Sequence, residues 1–242
     1  MNQTTYGLCF RHYLRRLGRG FFGPLIFVVL PVVITILLNF IYSQRVTEEI
    51  YVYGNNMIAT HIALGMMILF QLNSGIYLLN YLNSDLFQPM RWRLKAAPCA
   101  TTTLLFAAIG ACMVFTVLQG ILIITGTAWL TAAYWGNFWV ALLVVVLLSL
   151  ISQLLNMILF FLTGNLGTTE GLSWFISWAM GMLSGLYFPL PNKGFFQFVQ
   201  NYGTPFALAQ TAIKGSGFLR SSPVAVGVSL AALLGTVLVL AV

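Results

Sequence analysis

Residues 138–162 read FWVALLVVVLLSLISQLLNMILFFL, and this run of 25 residues contains no Asp, Glu, Lys or Arg. A helix that crosses the hydrocarbon core of a bilayer needs about 20 mostly apolar residues. The run therefore predicts a transmembrane helix, and similar runs recur along the chain. Together they predict an all-α, polytopic membrane protein with six spans, at residues 25–42, 57–82, 104–130, 138–162, 172–188 and 223–242.

The composition supports this fold class. Of the 242 residues, 60% are apolar and only 6% are charged, whereas soluble domains carry about 25% charged residues. The chain is predicted to form one transmembrane domain over residues 1–242, without a large soluble part. The net charge of +7 is explained by basic residues in loops, which set membrane topology. We therefore expect these residues to contact membrane lipid and not nucleic acid.

Residues 5–22 are predicted to form an amphipathic helix ahead of the first span. Phe10, Leu14, Leu17 and Phe21 share one helical face. The arginines fall on a different arc: Arg11, Arg15, Arg16 and Arg19. An arginine-rich helix of this kind lies in the membrane interface; the simpler interpretation is a basic flank that sets topology. Both interpretations place the segment in the cytoplasm.

The loop charges predict the orientation of the chain. The N-terminal segment has four arginines and residues 83–103 have three basic residues, which makes seven on one side of the membrane. The remaining loops, on the other side, have four basic residues. Since basic residues concentrate in short cytoplasmic loops, the N-terminus is predicted to be cytoplasmic. With six spans the C-terminus is cytoplasmic too, and we expect a multi-pass protein of a bacterial cell membrane.

The chain has few candidate residues for catalysis, ion coupling or metal binding. The acidic residues Glu48, Glu49, Asp85 and Glu170 fall in loops or at span ends, so ion-gradient transport lacks the carboxylate in the middle of the membrane that it usually requires. The cysteines at 9, 99 and 112 and the histidines at 12 and 61 are too dispersed to predict a metal site. No nucleotide-binding loop is present. We predict no catalytic residue, no metal and no directly bound cofactor, and a membrane-embedded lipid enzyme ranks last among the alternatives.

Neutral polar residues follow one face in two of the spans. Span two carries Asn73, Tyr77, Asn80 and Ser84, and span four carries Ser149, Ser152, Gln153 and Asn156. Such side chains point into a helix bundle, where they either join helices by hydrogen bonds or line a translocation path. The candidate path residues are Asn73, Tyr77, Asn80, Gln153 and Asn156. An uncharged lining suits a hydrophobic or amphiphilic cargo.

Two connections are longer than turns. Residues 83–103 contain a stretch of helical character, 90–97, between two prolines. Residues 189–222 are rich in aromatic side chains but not apolar enough to cross the bilayer. We predict that this second segment enters the outer leaflet as short broken helices and returns to the same side.

Two motifs resemble those of a known family. Residues 85–98 read DLFQPMRWRLKAAP, with an Arg-Leu-x-Ala-x-Pro core in which residues 93–98 stand as RLKAAP. Residues 183–191 read LSGLYFPLP. These two motifs and the predicted topology are similar to those of the permease subunits of type-2 ABC exporters, and the resemblance covers essentially the whole chain. The chain departs from the family pattern at two places. Asp85 stands alone ahead of the core, where the family commonly has a run of acidic residues, and Thr204 precedes Pro205, where the family often has Asn.

The resemblance implies a set of functional residues and partners. It implies that residues 83–103 form a cytoplasmic coupling loop that docks on an ATPase through Asp85, Gln88, Arg91, Trp92, Arg93, Leu94, Lys95 and Pro98. It implies an outer gate formed by Tyr187, Phe188 and Pro189. Two ABC ATPase subunits would bind ATP and Mg²⁺, and a second permease, identical or related, would complete a dimer. Alternating access would then export a drug, an antimicrobial natural product, a peptide or a lipid; a polysaccharide is less expected.

A scaffold or immunity protein that binds a partner without transport is the main alternative from another class. It predicts that inactivating the ATPase of the partner would leave function intact.

Overall fold

The computed structural model of the chain describes residues 3–20, 22–43, 51–52, 55–89, 92, 100–186, 191, 194–217 and 223–241. Apart from a hairpin of two-residue strands, these residues are mostly helical. The helices are α1 (Gln3–Arg19), α2 (Phe22–Ser43), α3 (Met57–Asn73), α4 (Ile76–Leu82), α5 (Thr101–Thr131), α6 (Phe138–Thr163), α7 (Leu166–Leu183), α8 (Gly194–Tyr202), α9 (Pro205–Gly217) and α10 (Pro223–Ala241). The antiparallel strands β1 (Tyr51–Val52) and β2 (Asn55–Asn56) directly precede α3.

Five segments of the described chain are long and apolar enough to cross a membrane: Leu25–Tyr42, Met57–Asp85, Thr101–Thr131, Phe138–Thr163 and Pro223–Ala241. They confirm a helical, multi-pass membrane protein and match five of the six predicted spans. The remaining predicted span, 172–188, is not confirmed. Its region contains α7, whose first half carries Thr168, Thr169, Glu170 and Ser173, and residues 187–190 lie outside the described part of the chain.

The segment formed by α3 and α4 occupies the centre of the bundle. It contacts α2, α5, α6, α7 and α9, and side chains such as Leu64, Ile68 and Leu78 are fully buried. A helix that is apolar on every side is expected to be enclosed by neighbours. Its start is held in place by Asn56, whose side-chain oxygen accepts a hydrogen bond from the Ala59 N–H (3.0 Å) and whose amide donates to Asn39 of α2 (2.8 Å).

The predicted second span is interrupted at Ser74–Gly75, which separates α3 from α4. The Ser152 hydroxyl of α6 accepts a hydrogen bond from the Gly75 N–H (2.7 Å) and donates to the Leu72 carbonyl oxygen. A side chain inserted into the backbone ladder is a known cause of a helix break. The sequence does not reveal this interruption, because the hydroxyl comes from a residue 77 positions later in the chain.

The segment before the last helix consists of two short helices, α8 and α9, which meet at Gly203–Thr204. The Thr204 hydroxyl accepts a hydrogen bond from the Ala207 N–H (3.1 Å) and so caps α9. Helix α9 packs against α3, α6, α7 and α10, with Phe206 and Ile213 fully buried, whereas α8 has no buried residue. The chain is thus helical and broken here; that it re-enters the outer leaflet stays a prediction.

Helix α1 lies along α5. Tyr13 and Leu17 are buried in this contact and Phe10 and Leu14 are partly buried. At Gly110 of α5 a side chain would meet the Tyr6 hydroxyl at 2.8 Å, so the glycine allows the close approach of the two helices. One face of α1 therefore packs on the bundle, while its location in the membrane interface stays a prediction.

Candidate functional site

The end of the central segment carries a buried carboxylate. Helix α4 passes into a single π-helical turn, Asn83–Phe87, which ends at Gln88. Such turns are rare and frequent at functional sites. Asp85 lies within the turn, and only 7% of its surface is exposed. A carboxylate with so little exposure requires compensating hydrogen bonds or an opposite charge, and helix α1 supplies both.

Two residues of α1 bind this carboxylate. The Tyr13 hydroxyl donates to Asp85 Oδ2 (2.7 Å), and Arg16 Nη1 donates to Asp85 Oδ1 (2.8 Å). Arg16 Nη2 donates to the Ser84 hydroxyl (2.7 Å), and the guanidinium lies 4.8 Å from the centroid of the Tyr81 ring. We call these five residues, Tyr13, Arg16, Tyr81, Ser84 and Asp85, the polar lock. It joins α1 to the end of the central segment.

The electrostatics of the lock keep its hydrogen bonds in place. Burial, together with the hydrogen bond to Asp85, raises the pKa of Tyr13 well above its ordinary value. The phenol therefore remains a neutral O–H donor at any physiological pH. Hydrogen bonds that involve a charged partner are shorter and roughly twice as strong as neutral ones. The lock thus holds two separate elements by charge-assisted bonds in a partly desolvated place.

The four arginines of α1 are not equivalent, although the sequence grouped them as one basic face. Arg11, Arg15 and Arg19 are exposed, whereas Arg16 is partly buried and forms the ion pair found among the described residues. Tyr13 and Arg16 are three positions apart, which places them on the same helical face. That spacing, with the isolated Asp85, is the signal in the sequence that could have indicated the lock.

The polar lock includes Ser84 and Asp85, which are among the first residues of the predicted coupling loop. Gln88 is exposed. The backbone N–H of Trp92 donates to the Pro89 carbonyl oxygen (3.3 Å), and 62% of the surface of Trp92 is exposed. An exposed tryptophan of this kind is typical of a binding surface. The other predicted coupling residues lie outside the described part of the chain: Arg91, Arg93, Leu94, Lys95 and Pro98. Docking of this loop on an ATPase stays a prediction, and the Asp85 carboxylate has partners within its own chain.

The predicted translocation-path residues occupy different environments. Asn73, Gln153 and Asn156 are buried, Tyr77 is nearly buried and Asn80 is exposed. Asn156 donates to the Ser152 carbonyl oxygen (2.8 Å), and Asn73 donates to the Leu69 carbonyl oxygen (2.9 Å). Most of this set therefore faces neighbouring helices. The Tyr77 hydroxyl and Asn156 Oδ1 are buried without a hydrogen-bond partner within the described structure. Such atoms are available to line a translocation path, and that role stays a prediction.

Ser149 and Ser152, two of the polar residues that the sequence indicates on span four, join helices by hydrogen bonds, and their partners Gln71 and Gly75 are not indicated by the sequence. Gln71 of α3 donates to the Thr116 carbonyl oxygen of α5 (3.0 Å) and to the Ser149 hydroxyl of α6. Ser152 and Gly75 form the contact at the helix break described above. These groups join three helices through buried hydrogen bonds, the usual role of neutral polar residues between membrane helices.

Two further predictions concern the outer gate and metal binding. The outer-gate residues Tyr187, Phe188 and Pro189 lie outside the described residues. In the parts of the chain that the structure describes, no three His, Cys, Asp or Glu side chains come together to hold a metal ion.

Comparison with known families bears directly on this architecture. Residues 4–216 match the family model described as ABC-2 type transporter. The match spans most of the chain, from α1 to the end of α9, and the chain belongs to this family. It is thus the membrane-spanning permease component of an ABC transporter, and the family implies an ABC ATPase partner. No curated protein and no solved structure matches the chain.

Proposed function

We propose that this chain is the membrane subunit of an ATP-driven exporter, in which two copies of an ABC ATPase drive a pair of permeases by alternating access. The cargo is a hydrophobic or amphiphilic molecule that leaves through the contact between the permeases. The single observation that carries the mechanism is the polar lock, because it ties α1 to the helical turn with which the coupling loop begins.

The lock supports a lever mechanism. A force that moves residues 83–103 reaches the π-helical turn first, and there Tyr13 and Arg16 connect it to α1. Since α1 packs along α5 and α4 continues the central helix, one displacement is passed to two parts of the bundle. Rigid-body rocking of packed helices is an established kind of switching transition.

The coupling loop gives the direct test of ATPase docking. We expect the double variant Arg93→Glu and Leu94→Glu to stop copurification with the partner ABC ATPase, because it reverses a charge and removes an apolar anchor. Arg220→Glu, a charge reversal on the predicted outer side, is the control and should copurify normally. Full copurification and unchanged transport in the double variant would contradict the docking assignment.

The orientation is tested by labelling. We expect Gln88→Cys, in a chain whose three native cysteines are replaced by Ala, to react with a membrane-impermeant maleimide only after cells are permeabilised. Gln88 is exposed, so lack of reaction cannot be attributed to burial within the chain. Reaction in intact cells would place residues 83–103 outside and would remove the docking element from the side where ATP is available.

A further inference from the structure

A cleft at the far end of the central helix combines an apolar cavity with basic side chains. A cavity of about 430 Å³ lies between α2 and α3, and an adjoining cavity of about 310 Å³ lies between α3 and α9. Both are lined by Met57 and His61. Their volumes fall in the range of small-molecule sites, about 300–1,000 Å³. We call the two together the α2–α3–α9 cleft.

The walls of the cleft are mostly hydrocarbon. Leu38, Ile58, Ile62, Met66 and Leu186 line the larger cavity. Tyr42 lies at the same cavity and is exposed. It stands on α2, whose neighbouring side chains Phe40 and Ile41 are also exposed. In a membrane, such an apolar exposed face is in contact with lipid, so the cleft opens beside the acyl chains of the bilayer.

The smaller cavity adds one positive charge, that of Lys214 of α9. Lys214 lines the cavity together with His61 of α3 and is only partly exposed. Burial lowers the pKa of Lys214 to about 8, so the ammonium is charged at neutral pH but lacks full hydration. Thr60, which also lines this cavity, is already engaged: its hydroxyl donates to the Asn56 carbonyl oxygen and accepts from the Tyr134 N–H.

Acidic partners for these bases are missing from the described structure. Its acidic residues are Asp85 and Glu170. Asp85 is paired with Arg16 and lies 24 residues from His61 along a helical segment, a distance of roughly 35 Å at 1.5 Å per residue. Glu170 lies in the first turns of α7, at the end opposite to the one that leads to Leu186 and the cleft. Among the described residues, no carboxylate therefore stands beside the Lys214 ammonium, and a partly buried cation in such surroundings favours an anionic ligand; Glu48 and Glu49 lie outside the described residues.

We propose that the α2–α3–α9 cleft binds a membrane-resident amphiphile with an anionic headgroup, which enters from the leaflet on the predicted outer side. The headgroup pairs with the Lys214 ammonium and accepts a hydrogen bond from the neutral His61 imidazole, and an acyl chain fills the cavity lined by Ile62 and Met66. This inference goes beyond the proposed export function, since binding requires neither ATP nor a second permease. A complex that exports nothing could still show it.

The test uses the complete chain in phosphatidylcholine nanodiscs that contain a trace of photoactivatable phosphatidylglycerol, with a diazirine in its acyl chain. We expect crosslinks, mapped by mass spectrometry, in the peptide that spans residues 57–66. Lys214→Gln should reduce this labelling about tenfold, the size of effect that loss of one charge-assisted hydrogen bond produces. Lys214→Arg should retain it. Arg19→Gln, which removes the same charge from exposed α1, should label as the unaltered chain does.

A second pair of variants tests the cavity without touching charge. Ile62→Trp fills the larger cavity and should reduce labelling by phosphatidylglycerol, whereas Ile36→Trp on the exposed face of α2 should not. Equal labelling by diazirine-bearing phosphatidylcholine and phosphatidylglycerol would overturn the proposal, as would unchanged labelling in Lys214→Gln. Labelling by a water-soluble diazirine alkyl phosphate alone would overturn the assignment to a membrane lipid. Circular dichroism and melting of each variant show whether it is folded.

Discussion

Asp85→Arg is expected to abolish transport and to destabilise the chain. The substitution places a second cation beside Arg16, in a site where the carboxylate is now 7% exposed. Breaking a buried ion pair costs about 3–5 kcal/mol. Because 31% of the Arg16 side chain is exposed, solvent screening reduces the cost here to about 2–3 kcal/mol. Transport is measured as ATP-dependent uptake of cargo into inside-out vesicles, and stability by thermal melting in detergent.

The control for this prediction is a charge swap. Arg16→Asp combined with Asp85→Arg restores an opposite pair at the same two positions and should recover a measurable part of both stability and transport. Arg15→Glu, at an exposed position one residue away on the same helix, should leave stability within about 0.5 kcal/mol of the unaltered chain. If Asp85→Arg transports normally while it remains folded, the lock has no part in coupling.

Gly75→Ala is expected to lower stability strongly although it adds one methyl group. A Cβ at this position would overlap the Ser152 carbonyl oxygen and would lie 2.5 Å from the Asn156 amide nitrogen. The carbonyl belongs to the backbone of α6 and cannot rotate away. Overpacking of this kind costs about 1–3 kcal/mol, and for a chain of this size about 3 kcal/mol corresponds to a fall in melting temperature of roughly 6–12 °C.

The matched control is Gly227→Ala. Gly227 lies within α10 with no atom in reach of an added Cβ, so the same substitution should be neutral or stabilising by up to about 1 kcal/mol. Both variants keep the backbone N–H, which separates steric overlap from loss of the hydrogen bond to Ser152. Equal melting temperatures for the two would show that α4 and α6 are further apart at this contact than the structure has them.

The sequence predicted much of the architecture because spans follow from local composition. The spans at 25–42, 104–130 and 138–162 each lie within a helix that differs from the predicted range by a few residues. The N-terminal helix was predicted over 5–22 and extends from Gln3 to Arg19. Even the broken character of 189–222 followed from its aromatic but insufficiently apolar composition. Each of these features depends on neighbours in the chain, which a sequence displays directly.

The site was less predictable because its parts are distant in the chain. Tyr13 and Asp85 are 72 positions apart and Arg16 and Asp85 are 69 positions apart. Arg16 therefore looked like its three neighbours on α1, and Asp85 looked like a contact for a partner protein. Lys214 and His61 are likewise distant in the chain, and the packing of α9 against α3 brings them to one cavity.

By itself, the sequence determined that this chain is a membrane protein and roughly where it crosses the bilayer, because the length and hydrophobicity of a segment decide whether it inserts. The motifs in their topological order indicated the family. Only the tertiary structure decided which polar groups meet, namely Tyr13 and Arg16 with Asp85 and Ser152 with Gly75, and which side chains share a cavity, namely Lys214 and His61. Such pairings depend on how helices from distant parts of the chain pack, and a polar group in an apolar surrounding is stable only when packing brings it a partner.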